Sequence, residues 1–492
     1  MRNFLKFNPL PFTAIGFLPV KRLFSTDNVQ NFHSSILSEK YLRQFIAVTV
    51  MFMFTINAGF ALSTAKLDKL LKKSDLNETA TVAISIKNAD SNSIVYEQNQ
   101  KKLLHPASTL KVFTTFAALD TLGIDYYFKT QFYKDSSNNL YIKLGADPLL
   151  TTSQLKQAFQ KIKDSGCTSF KNLYIDDSIT DKKEFAPGWM WDDDINAYTP
   201  KVSSYNLDGN VVRINLEKST QGLYSASVKS TYPMSVISCI KSDAKKDYLD
   251  ISRYNWMNPE VVEISGSVNG TKTITVPISS MRRYFIHNIQ KALEDSRINV
   301  SETLYSSALL PEKAELITEI ANPLSRTIQA ILQNSNNLMA ESIYKIAAGK
   351  KYASTGTDEL ASMMFKEFYH NNGVDTDKII VKDGCGVSRN NLVSADWMTS
   401  ALNKLYKLKT FEQFKDNMAQ PGDGTLGSRL YDLRGDVWLK TGSLANISGI
   451  TGFVKSQDGH MYSVAILIQN FTKDQKEIKK FEDEIINIIY NR

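Results

Sequence analysis

The strand-like and helical runs near the two ends of the chain restrict its fold more than any other feature. Alternating and short apolar patterns predict strands at 80–86, 93–96, 436–439, 450–455 and 461–468. Apolar patterns of helical type predict helices at 108–119, 324–348, 357–370, 394–408 and 473–490. An antiparallel sheet covered by helices accommodates this order of elements, so we predict an α+β fold.

The middle of the chain has a different character. From about residue 130 to about residue 310, Tyr, Ser, Asn and β-branched residues alternate between turn signals, which predicts a β-rich region with helices near 153–165 and 282–295. We interpret this region as an insertion into one loop of the α+β core. The predicted domains are an N-terminal extension with a signal peptide (1–61), the first part of the core (62–130), the inserted β-rich region (131–315) and the second part of the core (316–492).

The N-terminal extension has the features of an export signal. Lys40 and Arg43 precede a 12-residue apolar run, Phe45 to Ile56, and small residues lead to a cleavage site after Ala61. A positive flank, a short apolar segment and a small-residue site are typical of a secretory signal. The run is shorter than the about 20 apolar residues of a membrane span, and an uncleaved signal-anchor is the alternative. Both interpretations place the bulk of the protein outside the cytoplasm.

Composition and charge exclude several classes of protein. With 42% hydrophobic and 22% charged residues, the 492-residue chain is neither collagen-like nor wholly disordered. Its net charge of +7 forms no basic stripe, so nucleic acid is not an expected partner. The histidines match no metal-ligand spacing, and neither a metal nor another cofactor is predicted. Cys167 and Cys239 either pair in an oxidising compartment, leaving Cys385 single, or all three are thiols.

Three short motifs follow one another along the chain. They are S-x-x-K at Ser108–Lys111, S-x-N at Ser335–Asn337 and K-T-G at Lys440–Gly442. Serine enzymes that react with β-lactams use this triplet. S-x-x-K and S-x-N recur elsewhere in the chain, whereas K-T-G occurs once. The context makes the set informative, because Ser108 opens a predicted buried helix, Ser335 lies at a helix boundary and Lys440 lies in a strand.

The first and third motifs supply the residue types that nucleophilic catalysis needs. A serine hydroxyl requires an adjacent base, and positions i and i+3 of a helix bring Lys111 within reach of Ser108. Lys440 is the predicted second cation, because a like charge lowers the proton affinity of a buried lysine. Lys440, Thr441 and Ser443 are also expected to hold a substrate carboxylate. The N–H groups of Ser108 and Ser443 are the expected oxyanion hole.

The remaining residues of the motifs are assigned to proton transfer and positioning. Ser335 is expected to relay a proton to the leaving amine, and Asn337 to position Lys111 and the substrate amide. Gly442 belongs to the predicted substrate-binding strand. A Ser-His-Asp site is not supported, because His105 is interpreted as a structural residue at the start of the helix.

Further segments resemble one family. Beyond the triplet, the resembling segments are Gly145–Leu149 (G-x-D-P-x-L in the family), Ser203–Asn210 (S-x-x-x-N), Asp383–Asn391 (D-G-S-G-L-S-R-x-N) and Gly422–Leu426 (D-G-T-L). With the gap of 227 residues between Ser108 and Ser335, residues 64–490 resemble the class C low-molecular-mass penicillin-binding proteins, the D-alanyl-D-alanine carboxypeptidase/endopeptidase family. The chain departs from the family pattern at Cys385, where serine is usual, and in reading S-N-N for S-D-N.

The resemblance implies both a fold and an activity. The fold is a β-lactamase/transpeptidase-like core with its insertion between the first and second motifs. The activity is hydrolysis of peptidoglycan stem peptides and cross-links in the periplasm through an acyl-Ser108 intermediate, with β-lactam antibiotics as inhibitors that acylate the same serine. Peripheral contact with the inner membrane is a further expectation.

The resemblance also implies roles for two residues outside the motifs. In relatives, an aspartate of the inserted region receives the side-chain amine of the third residue of the stem peptide. Asp147 is the candidate for that role, with a structural aspartate in a turn before proline as the alternative. Arg389 either faces the substrate or pairs with a carboxylate in its loop.

Two other functions stay open from the sequence. A serine β-lactamase on the same core needs a deacylating glutamate in an E-x-x-x-N loop before K-T-G, and no convincing one appears. A non-catalytic envelope scaffold is the other alternative, and the three intact motifs argue against it.

Overall fold

Two five-stranded and two three-stranded sheets organise the described part of the chain, residues 64–219, 224–242, 247–253 and 258–492 of a computed structural model. In chain order the strands are β1 (Thr81–Asn88), β2 (Ile94–Gln98), β3 (Tyr127–Lys134), β4 (Leu140–Lys143), β5 (Ser169–Asp176), β6 (Val211–Lys218), β7 (Tyr224–Val228), β8 (Ser235–Ser242), β9 (Tyr248–Arg253), β10 (Val261–Val268), β11 (Lys272–Pro277), β12 (Asn299–Ser307), β13 (Glu315–Pro323), β14 (Val437–Leu444), β15 (Ile447–Lys455) and β16 (Met461–Gln469).

The helices lie mainly between the two groups of core strands and at the C-terminus. They are α1 (Leu76–Thr79), α2 (Leu110–Leu122), α3 (Thr152–Asp164), α4 (Met281–Ser296), α5 (Leu324–Leu332), α6 (Asn337–Lys351), α7 (Asp358–Asn371), α8 (Ala395–Leu405), α9 (Phe411–Lys415) and α10 (Gln475–Tyr490). Residues 64–73 are also helical.

The core sheet has the order β14-β15-β16-β1-β2 and is antiparallel throughout. Its central strands β1 and β16 join distant parts of the chain, with Ile84 opposite Ile466. Helix α8 packs on these two strands, and α10 packs on β15. Because both faces of the sheet are covered, β16 is buried along nearly its whole length and reads as a continuous apolar run. The predicted α+β core is confirmed.

The inserted region leaves and rejoins the core through two paired strands. β3 and β13 are antiparallel, with Tyr127 opposite Pro323, and they belong to the sheet β12-β5-β4-β3-β13. The sheets β8-β10-β9 and β11-β6-β7 complete its β-rich part. Buried apolar residues such as Phe132, Ile214 and Phe285 form a cluster of their own within this region. The inserted region therefore has its own hydrophobic core.

The predicted boundaries of the inserted region, 130/131 and 315/316, cut into this pair of strands. The first lies within β3 and the second lies after the first residue of β13. Because the two strands pair along their length, a division there would interrupt a continuous ladder. We therefore propose that the region begins at Tyr127 and ends at Pro323.

The predicted helix over 324–348 is interrupted. Helix α5 ends at Leu332 and α6 begins at Asn337. Between them Ser335 has φ +62°, and the Asn336 side chain caps α6 by accepting the Met339 N–H at 2.9 Å. Since a left-handed residue followed by a capping asparagine cannot continue a helix, Ser335 lies on a turn between two helices.

Two groups of predictions concern export and cysteine chemistry. The apolar run Phe45 to Ile56 and the cleavage site after Ala61 lie outside the described residues. Among the helices of the described residues, none combines the length and the apolar character needed to cross a membrane.

Cys167, Cys239 and Cys385 are free thiols, so the disulfide alternative is not adopted.

Candidate active site

Ser108 and Lys111 meet at the start of α2. Residues Ala107–Thr109 form a single 3-10 turn that runs directly into the helix. The spacing of three residues places the two side chains on one face, and Lys111 Nζ donates a hydrogen bond to Ser108 Oγ at 2.8 Å. Lys111 is fully buried, whereas Ser108 is half-buried. A ligand can therefore reach the hydroxyl while the amine stays away from water.

The two lysines of the motifs are both withdrawn from solvent. Burial lowers the pKa of Lys111 below its ordinary value of 10.5, although the nearby Cys385, Asp383 and Glu341 act in the opposite direction. Burial, together with the nearby Lys111, lowers the pKa of Lys440 as well. Desolvation and like charge both disfavour an ammonium ion. A neutral Lys111 has a lone pair available for the Ser108 proton.

Ser335 and Lys440 form the second hydrogen-bonded pair of the site. Lys440 Nζ donates to Ser335 Oγ at 2.9 Å and to the Thr441 carbonyl at 2.8 Å. Gly424 packs closely against the turn that carries Ser335, because a Cβ at Gly424 would lie 2.1 Å from the Gln333 carbonyl oxygen. The structure thus brings residues of all three motifs into two serine–lysine pairs, and the two lysines are near enough for Lys111 to influence the pKa of Lys440.

Asn337 contacts the inserted region rather than Lys111. Its Nδ2 donates to the Tyr198 carbonyl at 2.5 Å, and its buried Oδ1 has no hydrogen-bond partner among the described residues. No hydrogen bond joins Asn337 to Lys111 among the described residues, and Lys111 Nζ makes its second hydrogen bond, at 2.6 Å, to the Cys385 carbonyl. The amide oxygen is therefore the unsatisfied polar group of this side chain.

Strand β14 offers its outer edge to a ligand. It is the edge strand of the core sheet, and its Leu439 N–H donates away from β15 to the Ala419 carbonyl at 2.9 Å. Since amide directions repeat every second residue in an antiparallel strand, the Thr441 and Ser443 N–H groups face the same outer edge. Thr441 is buried and Ser443 is exposed.

Gly442 brings β14 against the turn that carries Ser108. A Cβ at Gly442 would lie 2.9 Å from the Ser108 nitrogen and 3.0 Å from the Ala107 Cβ. Only glycine allows this approach, which places the Ser443 and Ser108 amides next to each other. We call the space between β14 and the turn that carries Ser108 the groove. The arrangement supports the expected oxyanion hole.

Asp147 lies in a turn and not beside the Ser108 pair. It is 1% exposed, its Oδ1 accepts the Leu149 N–H at 2.8 Å and its Oδ2 accepts from Asn322 at 2.6 Å. Burial raises the pKa of Asp147 to about 6, against the lowering effect of these two donors. The contacts described for Asp147 correspond to the turn alternative.

Arg389 and His105 both support the loop 383–391. The Arg389 guanidinium donates to the Val387 carbonyl at 2.6 Å, so neither of the two alternatives for this residue describes that contact. His105 Nδ1 accepts the Ala107 N–H at 3.0 Å and its Nε2 lies 2.6 Å from the Ser388 carbonyl. His105 therefore ties the turn before α2 to the loop, as a structural residue.

A segment of the inserted region that sequence reasoning left without a role borders the site. Trp189 Nε1 donates to Asp383 Oδ2 at 3.0 Å, the Arg389 N–H donates to the Gly188 carbonyl at 3.0 Å, and Tyr198 accepts from Asn337. Along this segment Met190, Trp191 and Tyr198 are exposed. Its only sequence signal was the run of two tryptophans and three aspartates at 189–194.

One cluster in the described residues brings potential metal ligands together. A carboxylate oxygen of Glu341, one of Asp383 and the Cys385 sulfur lie within 4.8 Å of one another. Asp383 already accepts from the N–H groups of Gly386, Val387 and Ser388 and from the side chains of Trp189 and Asn391. Since these donors occupy its oxygens, the cluster does not fit a cation.

Known proteins are similar to this chain over most of its length. The D-Ala-D-Ala carboxypeptidase 3 (S13) family matches residues 63–490. The D-alanyl-D-alanine carboxypeptidase DacB of Haemophilus influenzae is 24% identical over 473 residues, which cover 90% of this chain and 98% of the relative. A D-alanyl-D-alanine carboxypeptidase of Actinomadura sp. is 24% identical over 443 residues, covering 80% of this chain and 79% of the relative.

The fold has a solved counterpart. The crystal structure of penicillin-binding protein 4 (dacB) from Haemophilus influenzae superposes with a TM-score of 0.77 at 23% identity, covering 87% of this chain and 99% of that chain. A second structure of the same protein, complexed with a novel β-lactam, gives a TM-score of 0.72 over the same shares of the two chains.

Proposed function

The chain belongs to the D-Ala-D-Ala carboxypeptidase 3 (S13) family and is a serine-type D-Ala-D-Ala carboxypeptidase, and we propose that Ser108 is its nucleophile and Lys111 its general base. One observation carries this assignment. A fully buried lysine with a lowered pKa donates to the hydroxyl of a half-buried serine at 2.8 Å. A base must lie within hydrogen-bond reach of the proton that it removes, and its pKa must allow a neutral form.

Acylation uses the two serine–lysine pairs in turn. Ser108 Oγ attacks the carbonyl carbon of the penultimate D-alanine while Lys111 Nζ takes the hydroxyl proton. The Ser108 and Ser443 N–H groups stabilise the negative charge that develops on the carbonyl oxygen. Ser335, hydrogen-bonded to Lys440 at 2.9 Å, is placed to pass on to the nitrogen of the departing D-alanine the proton that Lys111 took from Ser108, so that Lys111 is neutral again when the amine leaves. The product is an ester of Ser108.

Deacylation reverses the roles at the same carbonyl. A water molecule attacks the ester and gives a proton to Lys111, and the Ser108 oxygen leaves with a proton returned to it. The enzyme is thereby restored, and a stem peptide shortened by one D-alanine is released. A β-lactam, which presents a reactive amide to the same serine, forms the corresponding penicilloyl ester.

The substrate lies along β14 in this proposal. The terminal carboxylate meets the hydroxyl groups of Thr441 and Ser443. The unpartnered Oδ1 of Asn337 accepts an N–H of the substrate amide. Each of these contacts satisfies a group of the protein that is otherwise exposed at the groove or left without a partner.

The amine of the third stem residue is better assigned to the segment 189–198 than to Asp147. Asp193 Oδ1 lies 3.3 Å from the Tyr198 hydroxyl, and Tyr198 reaches Asn337 through its carbonyl. Asp193 Oδ2 accepts the Met190 N–H at 2.9 Å, and both Asp193, which raises the pKa of Tyr198, and Arg389, which lowers it, are near enough to influence that hydroxyl. We therefore assign Asp193 to the amine and place the reaction in the periplasm, where peptidoglycan lies.

Replacement of the nucleophile tests the proposal. Ser108→Ala is expected to lose D-alanine release from a stem pentapeptide by on the order of 10⁴-fold or more, and to lose covalent labelling by penicillin. Ser153→Ala is the matched control, because Ser153 and Lys156 form another S-x-x-K match on an exposed face of α3. The measurements are the rate of D-alanine release and the intact mass after penicillin treatment, with peptide mapping of the adduct. Wild-type turnover by Ser108→Ala, or an adduct on a different residue, would contradict the proposal.

A further inference from the structure

The loop 383–388 is compressed between α6 and the turn that carries Ser108. A Cβ at Gly384 would lie 2.7 Å from the Tyr344 Cβ on α6. A Cβ at Gly386 would lie 1.9 Å from the Ala107 carbonyl oxygen on the other side. Because only glycine fits at these two positions, the loop backbone packs directly on α6 on one side and on the turn before α2 on the other. The position of α6 therefore influences the position of the start of α2.

The backbone of Cys385 is held from two sides within this loop. Its N–H donates to Glu341 Oε1 at 2.6 Å, and its carbonyl accepts from Lys111 Nζ at 2.6 Å. Glu341 lies on α6, about one turn after Asn337 of the S-x-N motif, and it has no exposed surface. A continuous chain of hydrogen bonds therefore runs from Glu341 through one residue to Lys111 and on to Ser108 Oγ.

We propose that Glu341 is a positioning residue for the Lys111 base, acting through the Cys385 backbone so that the Cys385 carbonyl holds Lys111 Nζ beside Ser108 Oγ. This inference rests on the proposed roles of Ser108 and Lys111. Glu341 does not touch the substrate, and it acts only by fixing the atom that orients the amine.

The surroundings of Glu341 indicate more than packing. An acid in a site without water is costly, and an apolar side chain of the same size would fill the space more favourably. Its second oxygen, Oε2, has no hydrogen-bond partner among the described residues, and the groups that act on the carboxyl group by hydrogen bonding belong to Cys385 and Gly384. The carboxyl group is therefore directed at the loop 383–388.

The charge state of Glu341 makes glutamine its proper substitute. Burial raises the pKa of Glu341 to about 8, and Asp383 and Asp358 raise it further, while the Cys385 thiol and the Gly384 N–H lower it. The charged and titratable groups around Lys111 are Cys385, Asp383, Glu341 and Lys440. At neutral pH the Glu341 carboxyl group is therefore mostly protonated, and an amide matches it in charge, in shape and in its acceptor oxygen.

The experiment compares Glu341→Met, which fills the space without an oxygen acceptor, with Glu341→Gln, which keeps the acceptor. In Glu341→Met, kcat and the rate of penicillin acylation are expected to fall by about 10²-fold, as for a base displaced by a fraction of an ångström to 1 Å, while KM changes less than threefold. Glu341→Gln is expected to stay within about fivefold of the wild type. Ile343→Ala, a buried packing change on the same helix, shows the effect of lost stability alone and is expected to keep kcat.

Two results would overturn the inference. The first is a folded Glu341→Met enzyme with wild-type kcat, and the second is a Glu341→Gln enzyme as slow as Glu341→Met. Should Glu341→Met not fold, Glu341→Asp replaces it with the same expectations, because it withdraws the carboxyl group from Cys385 by one methylene. Ser108→Ala, measured in parallel, separates the two proposals: if it stays active the proposed function fails, whereas an inactive Ser108→Ala beside a fast Glu341→Met removes only the role of Glu341.

Discussion

Two regions of this molecule bury lysine side chains to a similar degree and surround them differently. In the groove, Lys111 and Lys440 are fully buried and hydrogen-bond to hydroxyl and carbonyl oxygens. Between the core and the inserted region, Lys345 of α6 is 2% exposed and lies 2.9 Å from Asp181 and 3.3 Å from Asp358. Lys111 and Lys440 have only neutral hydrogen-bond partners, whereas Lys345 lies between carboxylates.

The difference explains what each lysine can do. A buried amine without a counter-charge loses its proton readily and becomes a base. A buried amine between carboxylates keeps its proton and forms an ion cluster with them. Removing the amine would leave the negative charge of the carboxylates uncompensated in the interior. Lys345 also donates to the Lys183 carbonyl at 3.1 Å, so its cluster fastens the segment 181–183 of the inserted region to α6. Burial is common to both regions, and the partner decides between chemistry and attachment.

Replacement of Lys111 is expected to have the largest effect. Arginine keeps the positive charge but cannot act as a base near neutral pH, so Lys111→Arg should lower the rate of acylation by penicillin by about 10³-fold or more. In the wild type the same rate should rise with pH as Lys111 loses its proton, and the midpoint should lie below the ordinary lysine value of 10.5, because burial lowers this pKa. Stopped-flow or quenched labelling across pH measures both quantities. Acylation by Lys111→Arg at the wild-type rate would place the base elsewhere.

Replacement of Lys345 should affect stability and spare chemistry. Lys345→Met leaves Asp358 buried without its cation, and we expect a loss of about 3–5 kcal/mol in the free energy of unfolding at pH 8. Burial already raises the pKa of Asp358 to about 6 against the lowering effect of Lys345. Without the lysine the carboxyl group is protonated more easily, so the loss should be smaller at pH 5 than at pH 8.

The control for that prediction lies on the same helix. Lys351→Met removes a partly exposed ion pair to Glu367 at 3.0 Å and should cost less than about 1 kcal/mol. Denaturant unfolding at the two pH values compares the variants, and penicillin acylation of the folded proteins checks the groove. An acylation rate that falls with Lys345→Met would mean that the ion cluster is coupled to catalysis and would remove the distinction between the two regions.

The sequence predicted local contacts of the site better than contacts between distant parts of the chain. The Ser108–Lys111 pair follows from helical spacing over three residues, and K-T-G follows from a strand pattern, so local geometry sufficed. The contact between Asn337 and Tyr198 joins residues 139 positions apart, and that between Trp189 and Asp383 joins residues 194 positions apart. No periodicity in the sequence encodes such contacts, because they depend on how the inserted region folds back on the core.

Asp147 illustrates the same difficulty in the opposite direction. The family resemblance made Asp147 a candidate for binding the substrate amine, with a turn aspartate before proline as the alternative. In the structure its side chain accepts a hydrogen bond from Asn322, which follows 175 positions later. Its neighbour Gly145 has space for no side chain, since a Cβ there would lie 2.4 Å from the Lys129 carbonyl oxygen. Burial of this turn is a tertiary property that the local pattern does not contain.

The smallest expected effect compares the two aspartates of the inserted region. Asp193→Asn removes the charge proposed to meet the amine of the third stem residue, and a charged hydrogen bond of this kind contributes about 1.5–3 kcal/mol. We expect KM for a stem peptide with that amine to rise by about 10-fold or more, with kcat and penicillin acylation little changed. Asp147→Asn keeps an acceptor for the Leu149 N–H and should leave both constants as they are. Steady-state kinetics with the amine free and acetylated provide the check, because acetylation should abolish the difference between Asp193→Asn and the wild type. If Asp147→Asn alone raised KM for the free amine, Asp147 would be the residue that binds it. The inserted region would then contact the substrate through the turn that carries Asp147 and not through the segment 189–198.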